Sequence, residues 1–369
     1  MTTVTPERAA PAAQPPAVAV PVKRRPRKLR VMTFDDWMSL AGSLLSSLAL
    51  VDIVYEHLVD GSGTVGFLVV WFLTFLLIYG VVVAMGNPLT LMVDRLVTAT
   101  LYAASGLVVF ALGTTVYFTF VKGIHAVLHA NFFTKTMAGV SPTSPLSQGG
   151  ILHAIVGTFI EVGIAIGVSV PLGIGTAVYM AEVGGRGSRL VRTVVEAMTA
   201  LPEILAGLFV YVTLIVGFGL PKSGIAASAA MSVTMVPIIA RASEVALRVV
   251  PGGLREASLA LGASRWRTVR KVVLPSARAG LATATILGVA RGIGETAVVL
   301  ITSGASSFMT VNPVTNEMNS LPLFIYTSVK SGEPLAINRA FGAASVLLLL
   351  VLVLFVVTRV LAREKAVRR

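Results

Sequence analysis

The sequence predicts an all-α, polytopic membrane protein with about eight transmembrane helices (range six to eight). Three observations carry this. Hydrophobic residues make up 55% of the chain and charged residues 13%, with a mean hydropathy of +0.85, which leaves too little polar surface to cover a soluble protein of this length. The apolar residues fall into stretches of roughly 20 or more, the length a helix needs to cross hydrocarbon. Lys and Arg gather in the short connections between those stretches, as loop topology in membranes requires.

Residues 1–32 are rich in Ala, Pro and Thr and then basic from Lys23 to Arg30, the composition of a disordered cytoplasmic tail. A full-length span follows with no small-residue cleavage site, so the segment is expected to anchor the chain rather than act as a cleavable signal. Spans are predicted at 36–55, 65–85 and 97–121, giving an N-terminal block over 33–121. An extracytoplasmic loop, 122–150, carries Ser141, Pro142, Ser144, Pro145 and the pair Gly149-Gly150. The remaining spans, 151–181, 193–217, 224–243, 279–303 and 339–360, form a five-span block over 151–362. It is interrupted by a polar cytoplasmic loop at 244–278 and followed by a short basic cytoplasmic tail at 363–369.

With both termini inside, the cytoplasmic segments collect Arg8, Lys23–Arg30, Arg95, Arg186, Arg189, Arg192, the run from Arg241 to Arg278, and Arg359–Arg369. The outside keeps only Lys122, Lys135, Lys222, Lys330 and Arg339. This asymmetry explains the net charge of +13 without recourse to nucleic acid. The chain has no Cys, and its four His residues are scattered. His125 and His129 are four apart, but no carboxylate lies near them, so an interfacial pair is expected rather than a metal site. Neither a paired-carboxylate site nor a nucleophile with its base occurs at enzymatic spacing. The sequence also lacks a Walker A loop, so ATP is expected to be bound by partner subunits and no cofactor by this chain.

The most informative segment is Arg248–Pro275, RVVPGGLREASLALGASRWRTVRKVVLP. It predicts two short helices with a sharp corner. The first follows Gly252-Gly253 and ends at Gly262 in a left-handed conformation, the second is capped by Ser264, and Pro275 is expected to stop it. Leu254, Ala257 and Leu261 share one face of the first helix while Arg255 points elsewhere, so an apolar ridge faces a partner's groove.

Within that segment Glu256-Ala257-Ser258, Gly262, Val272, Leu274 and Pro275 resemble the EAA loop of ABC importer permeases. Ser258 stands where a second Ala is usual and Val272 where Ile often stands. The resemblance implies a type I permease core whose first short helix couples to the ATPase subunits, with Glu256, Ala257, Ser258, Gly262, Leu274 and Pro275 as the coupling residues. Further on, Ala290-Arg291-Gly292-Ile293-Gly294-Glu295-Thr296-Ala297 is similar to the Arg-Gly-x-Gly-Glu-Thr segment of phosphate-importer permeases. With Leu201-Pro202 and Pro322-Leu323-Phe324-Ile325-Tyr326, it most resembles the PstA-type subunit. Glu203 stands where that family usually has Ser, and the three leading spans exceed its usual single one. The resemblance implies import of inorganic phosphate across the cell inner membrane. The implied partners are a second, PstC-like permease, two PstB-like ATP-binding subunits and an extracytoplasmic PstS-like binding protein. The alternatives are a permease for another oxyanion or nutrient and a membrane scaffold that recruits a cytosolic protein.

Arg291, Glu295 and Thr296 are the expected substrate-pathway residues. An ionised side chain at bilayer depth costs about 2.5–3.5 kcal/mol on insertion scales, so it needs a partner or a purpose. Four apart on one helix, Arg291 and Glu295 are expected to pair, with Gly292 and Gly294 admitting a neighbouring helix or a ligand. A planar guanidinium suits a phosphate because it meets two oxygens at once. Glu161, inside the fourth span, is expected to pack against a polar partner, and Pro171 and Pro202 are expected to kink their helices.

Overall fold

The computed structural model describes residues 33–57 and 63–367. The predicted N-terminal tail and the last two residues lie outside the described residues. Every regular element among the described residues is helical, and two compact units divide at Val109 and Phe110.

The first unit holds α1 (Phe34–His57), α2 (Thr64–Gly86) and the beginning of α3 (Leu89–Val127). Phe75, Tyr79 and Val83 of α2 form its core with Leu40 of α1 and Met92 and Leu96 of α3, and the Phe75 and Tyr79 rings stack at 5.6 Å. Asp36 and Arg95 pair at 2.9 Å. α3 is 39 residues long, about 58 Å at the usual helical rise, so it outruns a hydrocarbon core of about 30 Å and the predicted limits of 97–121.

In the second unit the short α4 (Asn131–Thr134) is followed by turns up to Ile151. That loop is ordered from within. The Asn131 amide donates to the carbonyls of Leu146 and Gly149 at 2.9 and 2.7 Å. From α14 (Pro334–Val367) the buried Arg339 donates to the carbonyls of Pro142, Ser144, Pro145 and Gln148 at 2.7–3.3 Å.

α5 (Leu152–Val178) runs on through a π-turn at Tyr179–Val183 and packs along α8 (Gly224–Arg248), the most buried of the spans. Small residues let these helices meet. Ala165, Ala227 and Met231 are buried at their contact, and a Cβ on Gly173 of α5 would stand within 2.7 Å of the Ile239 side chain of α8. Close backbone approach of this kind is how helices associate where apolar burial gives no preference over lipid.

The predicted span 193–217 is instead two helices, α6 (Gly185–Ala200) and α7 (Glu203–Val210), the latter continued by a π-turn at Tyr211–Gly217. They meet at 105°. Pro202 disfavours helical backbone in the residue before it, and Leu201 is extended at φ −71°, ψ 132°. The proline therefore breaks the span rather than kinking it.

After α8 come α9 (Gly252–Ala260) and α10 (Arg265–Thr268), then a π-turn at Val269–Val273 and α11 (Leu274–Ile293). Gly262 has φ +80° and the Ser264 hydroxyl accepts from the Arg267 amide, as the sequence predicts. Pro275 does not stop the second helix. Arg265–Ile293 is one continuous span, because the π-turn at Val269–Val273 directly before Pro275 widens the helix and accommodates the proline without breaking it. The span predicted at 279–303 accordingly starts earlier and ends at Ile293. α12 (Ala297–Thr302) and α13 (Leu321–Lys330) complete the unit. Seven helices among the described residues are long and apolar enough to cross a membrane, and the bent pair makes an eighth span if counted as one.

Candidate functional site: a clamped arginine and a cytoplasmic corner

Arg291 lies on the last turn of α11. Its Nη2 pairs with Glu203 at the start of α7, and its Nε lies 3.6 Å from Oε1 of Glu295. Two carboxylates from different segments thus bracket one guanidinium. Their settings differ: the side chain of Arg291 is 47% exposed and that of Glu203 38%, whereas Glu295 is 3% exposed and its Oε1 has no hydrogen-bond partner. The predicted Arg291–Glu295 contact forms, yet not along one helix, because α11 ends at Ile293 and Gly294 turns the chain. The two glycines part company here. A Cβ on Gly292 would lie 2.5 Å from Sδ of Met235, so that residue seats α11 on α8, while the nearest atom to Gly294 is its own chain's Arg291 carbonyl at 3.7 Å.

Thr296, the third predicted residue, lines a cleft of about 870 Å³ with Ile204, Leu300, Tyr326, Lys222 and Lys330. Lys330 sits 5.9 Å from the Tyr326 ring centre. The cleft brings together Thr296, the residue after Glu203, and two of the few lysines predicted outside. Sequence reasoning noted Glu203 only as a departure, 88 positions before Arg291. The available signal was a carboxylate at the head of an apolar stretch, unaccounted for by any neighbour.

Glu161 is buried on α5 and its carboxyl meets the Ser303 hydroxyl. Ser303 also bonds the Met318 carbonyl at 2.9 Å, and the Thr158 hydroxyl accepts from the Leu321 amide at 2.8 Å. Together these fix the 303–321 segment to α5. The polar partner expected for Glu161 is therefore a loop residue across the fold.

At the other end, Glu256 and Ala257 are exposed on α9, with Leu254 45% and Leu261 89% exposed. Ser258 shares a 2.9 Å hydrogen bond with Thr268 of α10, closing the corner. Leu274 is not part of this surface. It packs with Ala177, Leu247, Val273 and Leu281 in the core, whereas Pro275 is exposed. Beside the corner, the buried Glu244 of α8 collects Arg192 of α6 at 2.6 Å and Arg248 at 2.8 Å, with Arg241 at 3.7 Å. His129 Nδ1 meets the His125 carbonyl at 2.9 Å, and no group of three metal-ligating side chains occurs among the described residues.

A broken span, an ion-paired arginine beside a cleft and an exposed helical corner on a bundle of spans are the parts of a transport subunit. Residues 169–367 match the binding-protein-dependent transport system inner membrane components, and the chain belongs to that family. It is thus a multi-pass inner-membrane permease subunit of the ABC transporter class, which works with ATP-binding subunits and a periplasmic binding protein, and ATP hydrolysis resides in the separate subunits. Over 231 residues it is 39% identical to the phosphate transport system permease protein PstA 1 of Mycobacterium tuberculosis, covering 62% of this chain and 74% of that one. Over 246 residues it is 34% identical to PstA of Haemophilus influenzae, covering 66% and 84%. The fold is also that of a chain in the crystal structure of the bacterial alginate ABC transporter with its pentasaccharide-bound periplasmic protein, at a TM-score of 0.53 and 17% identity, covering 73% of this chain and 96% of that one.

Proposed function

We propose that this chain is the PstA-type permease of an inorganic phosphate importer. Its partners would be a PstC-like permease, two PstB-like ATP-binding subunits and a PstS-like binding protein, and both of its termini would face the cytoplasm. The observation that carries the reading is the half-exposed Arg291 between Glu203 and Glu295, next to the cleft lined by Thr296, Lys222 and Lys330. A guanidinium held by carboxylates is a charge with stand-in anions. An arriving phosphate offers the same oxygens, and with more of them. Glu203 and Glu295 partner Arg291 in the empty pathway, where an unpaired ion would be costly, and yield it when the substrate arrives. The lysines raise the local concentration of the anion at the cleft.

On the cytoplasmic side, Glu256, Ala257, Ser258 and Gly262 form the corner that docks on the ATPase pair, with Leu274 and Pro275 joining it to α11. ATP is held by the partner subunits, and this chain needs no cofactor. Closure of the ATPase pair moves the corner and with it the spans on either side, so that the pathway alternates between inward-open and outward-open.

The test is ATP-dependent uptake of labelled phosphate into vesicles carrying the assembled complex, with an excess of sulfate as competitor. Uptake that resists sulfate, lost in Arg291→Gln with the ATPase subunits still bound, supports the reading. Wild-type complex that moves no phosphate sinks the substrate, and Arg291→Gln at the wild-type rate sinks the site.

A further inference from the structure

The corner at α9 must pass its motion to the spans that line the pathway, and one side chain spans that joint. Arg255 lies on α9 facing away from the exposed ridge of Leu254 and Leu261. Its Nε donates to both oxygens of Glu182 at 3.1 and 3.3 Å and its Nη2 to Oε1 at 2.8 Å. Glu182 belongs to the π-turn that ends the α5 span. The same guanidinium donates through Nη1 to the Val250 carbonyl at 2.6 Å and through Nη2 to the Leu247 carbonyl at 2.9 Å. These carbonyls lie at the C-terminal end of α8, where the backbone leaves acceptors unsatisfied and favours positive charge.

Arg255 therefore binds three bodies at once: α9, the end of α5 and the end of α8. The pair is largely shielded, with side-chain exposures of 24% and 12%, and its two-nitrogen grip on a carboxylate fixes orientation as well as distance. Other ties hold the spans without reaching α9. Glu244 links α8 to α6 through Arg192, and the Ser258–Thr268 bond stays within the corner.

Upstream along α5 stands Glu161, which grips Ser303 in the segment after α12. Glu182 and Glu161 are 21 positions apart on one continuous span, about 31 Å at the helical rise. A displacement of α9 taken up by Arg255 thus enters one end of a helical span whose other end grips the segment after α12.

We infer that Arg255 and Glu182 form the joint that transmits motion of the cytoplasmic corner to α5 and α8, with Arg255 a positioning residue that contacts neither substrate nor nucleotide. This deepens the reading of α9 as the coupling helix and rests on it. It assigns separate work to the two faces of α9: the exposed face holds the ATPase, and the face bearing Arg255 pulls on the membrane domain.

The experiment uses the complete complex, with its ATPase subunits and binding protein, in vesicles supplied with inorganic phosphate. ATP hydrolysis, phosphate uptake and retention of the ATPase subunits are measured on the same preparation for wild type, Arg255→Gln, Glu182→Gln and the exchanged pair Arg255→Glu with Glu182→Arg. Uptake per ATP should fall about tenfold in each single variant, the scale of a coupling term between sites. Hydrolysis and subunit retention should remain near wild type, and the exchanged pair should regain part of the lost uptake.

Uptake per ATP equal to wild type in both single variants overturns the joint. So does loss of the ATPase subunits from them, which would make Arg255 a docking residue. Wild-type complex whose hydrolysis runs without the permease, or whose ATPase subunits bind elsewhere than α9, would instead refute the coupling-helix reading on which the joint depends.

Discussion

Arg291 and Glu203 meet as an ion pair although 88 positions separate them, and the meeting is made by the turn at Leu201-Pro202 that delivers Glu203 to the end of α11. Under the proposed function Glu203 competes with the substrate anion for the guanidinium. In Glu203→Gln the competition is removed while shape is kept, so the KM for phosphate uptake should drop about fivefold, the worth of a half-exposed pair of about 1 kcal/mol. Arg291→Lys keeps the charge but loses the two-oxygen grip, and its KM should rise. A Glu203→Gln complex with a higher KM would show that the carboxylate helps substrate instead of standing in for it.

Gly262 turns the corner at φ +80° with open space around its Cβ position. Alanine there meets no neighbour and pays only left-handed strain of about 1–2 kcal/mol. Gly262→Ala should thus weaken ATPase-subunit binding about tenfold, and Gly262→Glu, which adds a carboxylate to the docking face, should release the subunits on purification. Co-purification yields of the two variants check this, and equal retention in both would remove the corner from the docking surface.

Arg339 holds the 142–148 carbonyls from α14. Arg339→Met keeps the stem and loses every one of those bonds. Protease added to the outer face should then cut within 136–150 at least about tenfold faster than in wild type, as the opening free energy of a loop drops with its hydrogen bonds. Unchanged cutting would mean that Asn131 and the backbone bonds of Ile151 and Leu152 to the Phe132 and Lys135 carbonyls are enough to order the loop.

Glu244 is 3% exposed among arginines that are 31–58% exposed. Glu244→Gln leaves their charges clustered without the carboxylate and should lower stability by about 2 kcal/mol, less than a fully buried pair would cost because water reaches the arginines. Thermal unfolding of the purified complex in detergent reports it, and an unchanged midpoint would argue that solvent already screens the cluster.

Much of this was written locally in the sequence. The corner at Gly262 and Ser264 was legible because caps and left-handed glycines act within a few residues. The α5 and α8 spans were legible because lipid imposes length. What escaped was set by distant contacts or by competition between local rules. The stretch 193–217 is apolar enough to be one span, and only the extended backbone of Leu201 before Pro202 divides it. Pro275 looked like a terminator, yet a π-turn just before it absorbs the proline without breaking the helix. Glu203 and Ser303 gave no local sign of their partners, since Arg291 and Glu161 reach them only through the packed bundle. Arg255 was placed on the correct face, but its grip on Glu182 depends on where two helix ends come to rest.

The π-turn at Tyr179–Val183 holds Glu182 itself and the one at Val269–Val273 follows the corner that bears Arg255, and each holds one residue more than a regular turn. An extra residue in a helix is a phase offset: removing it turns everything beyond by about 100°. Shortening Val269–Val273 by one would leave every named side chain in the chain and α11 fully helical, yet point α10 and the corner in a new direction against α5. The alignment of the corner with α5 is thus stored as a count of residues, and a chain with every named side chain intact would lose that alignment when the count changes.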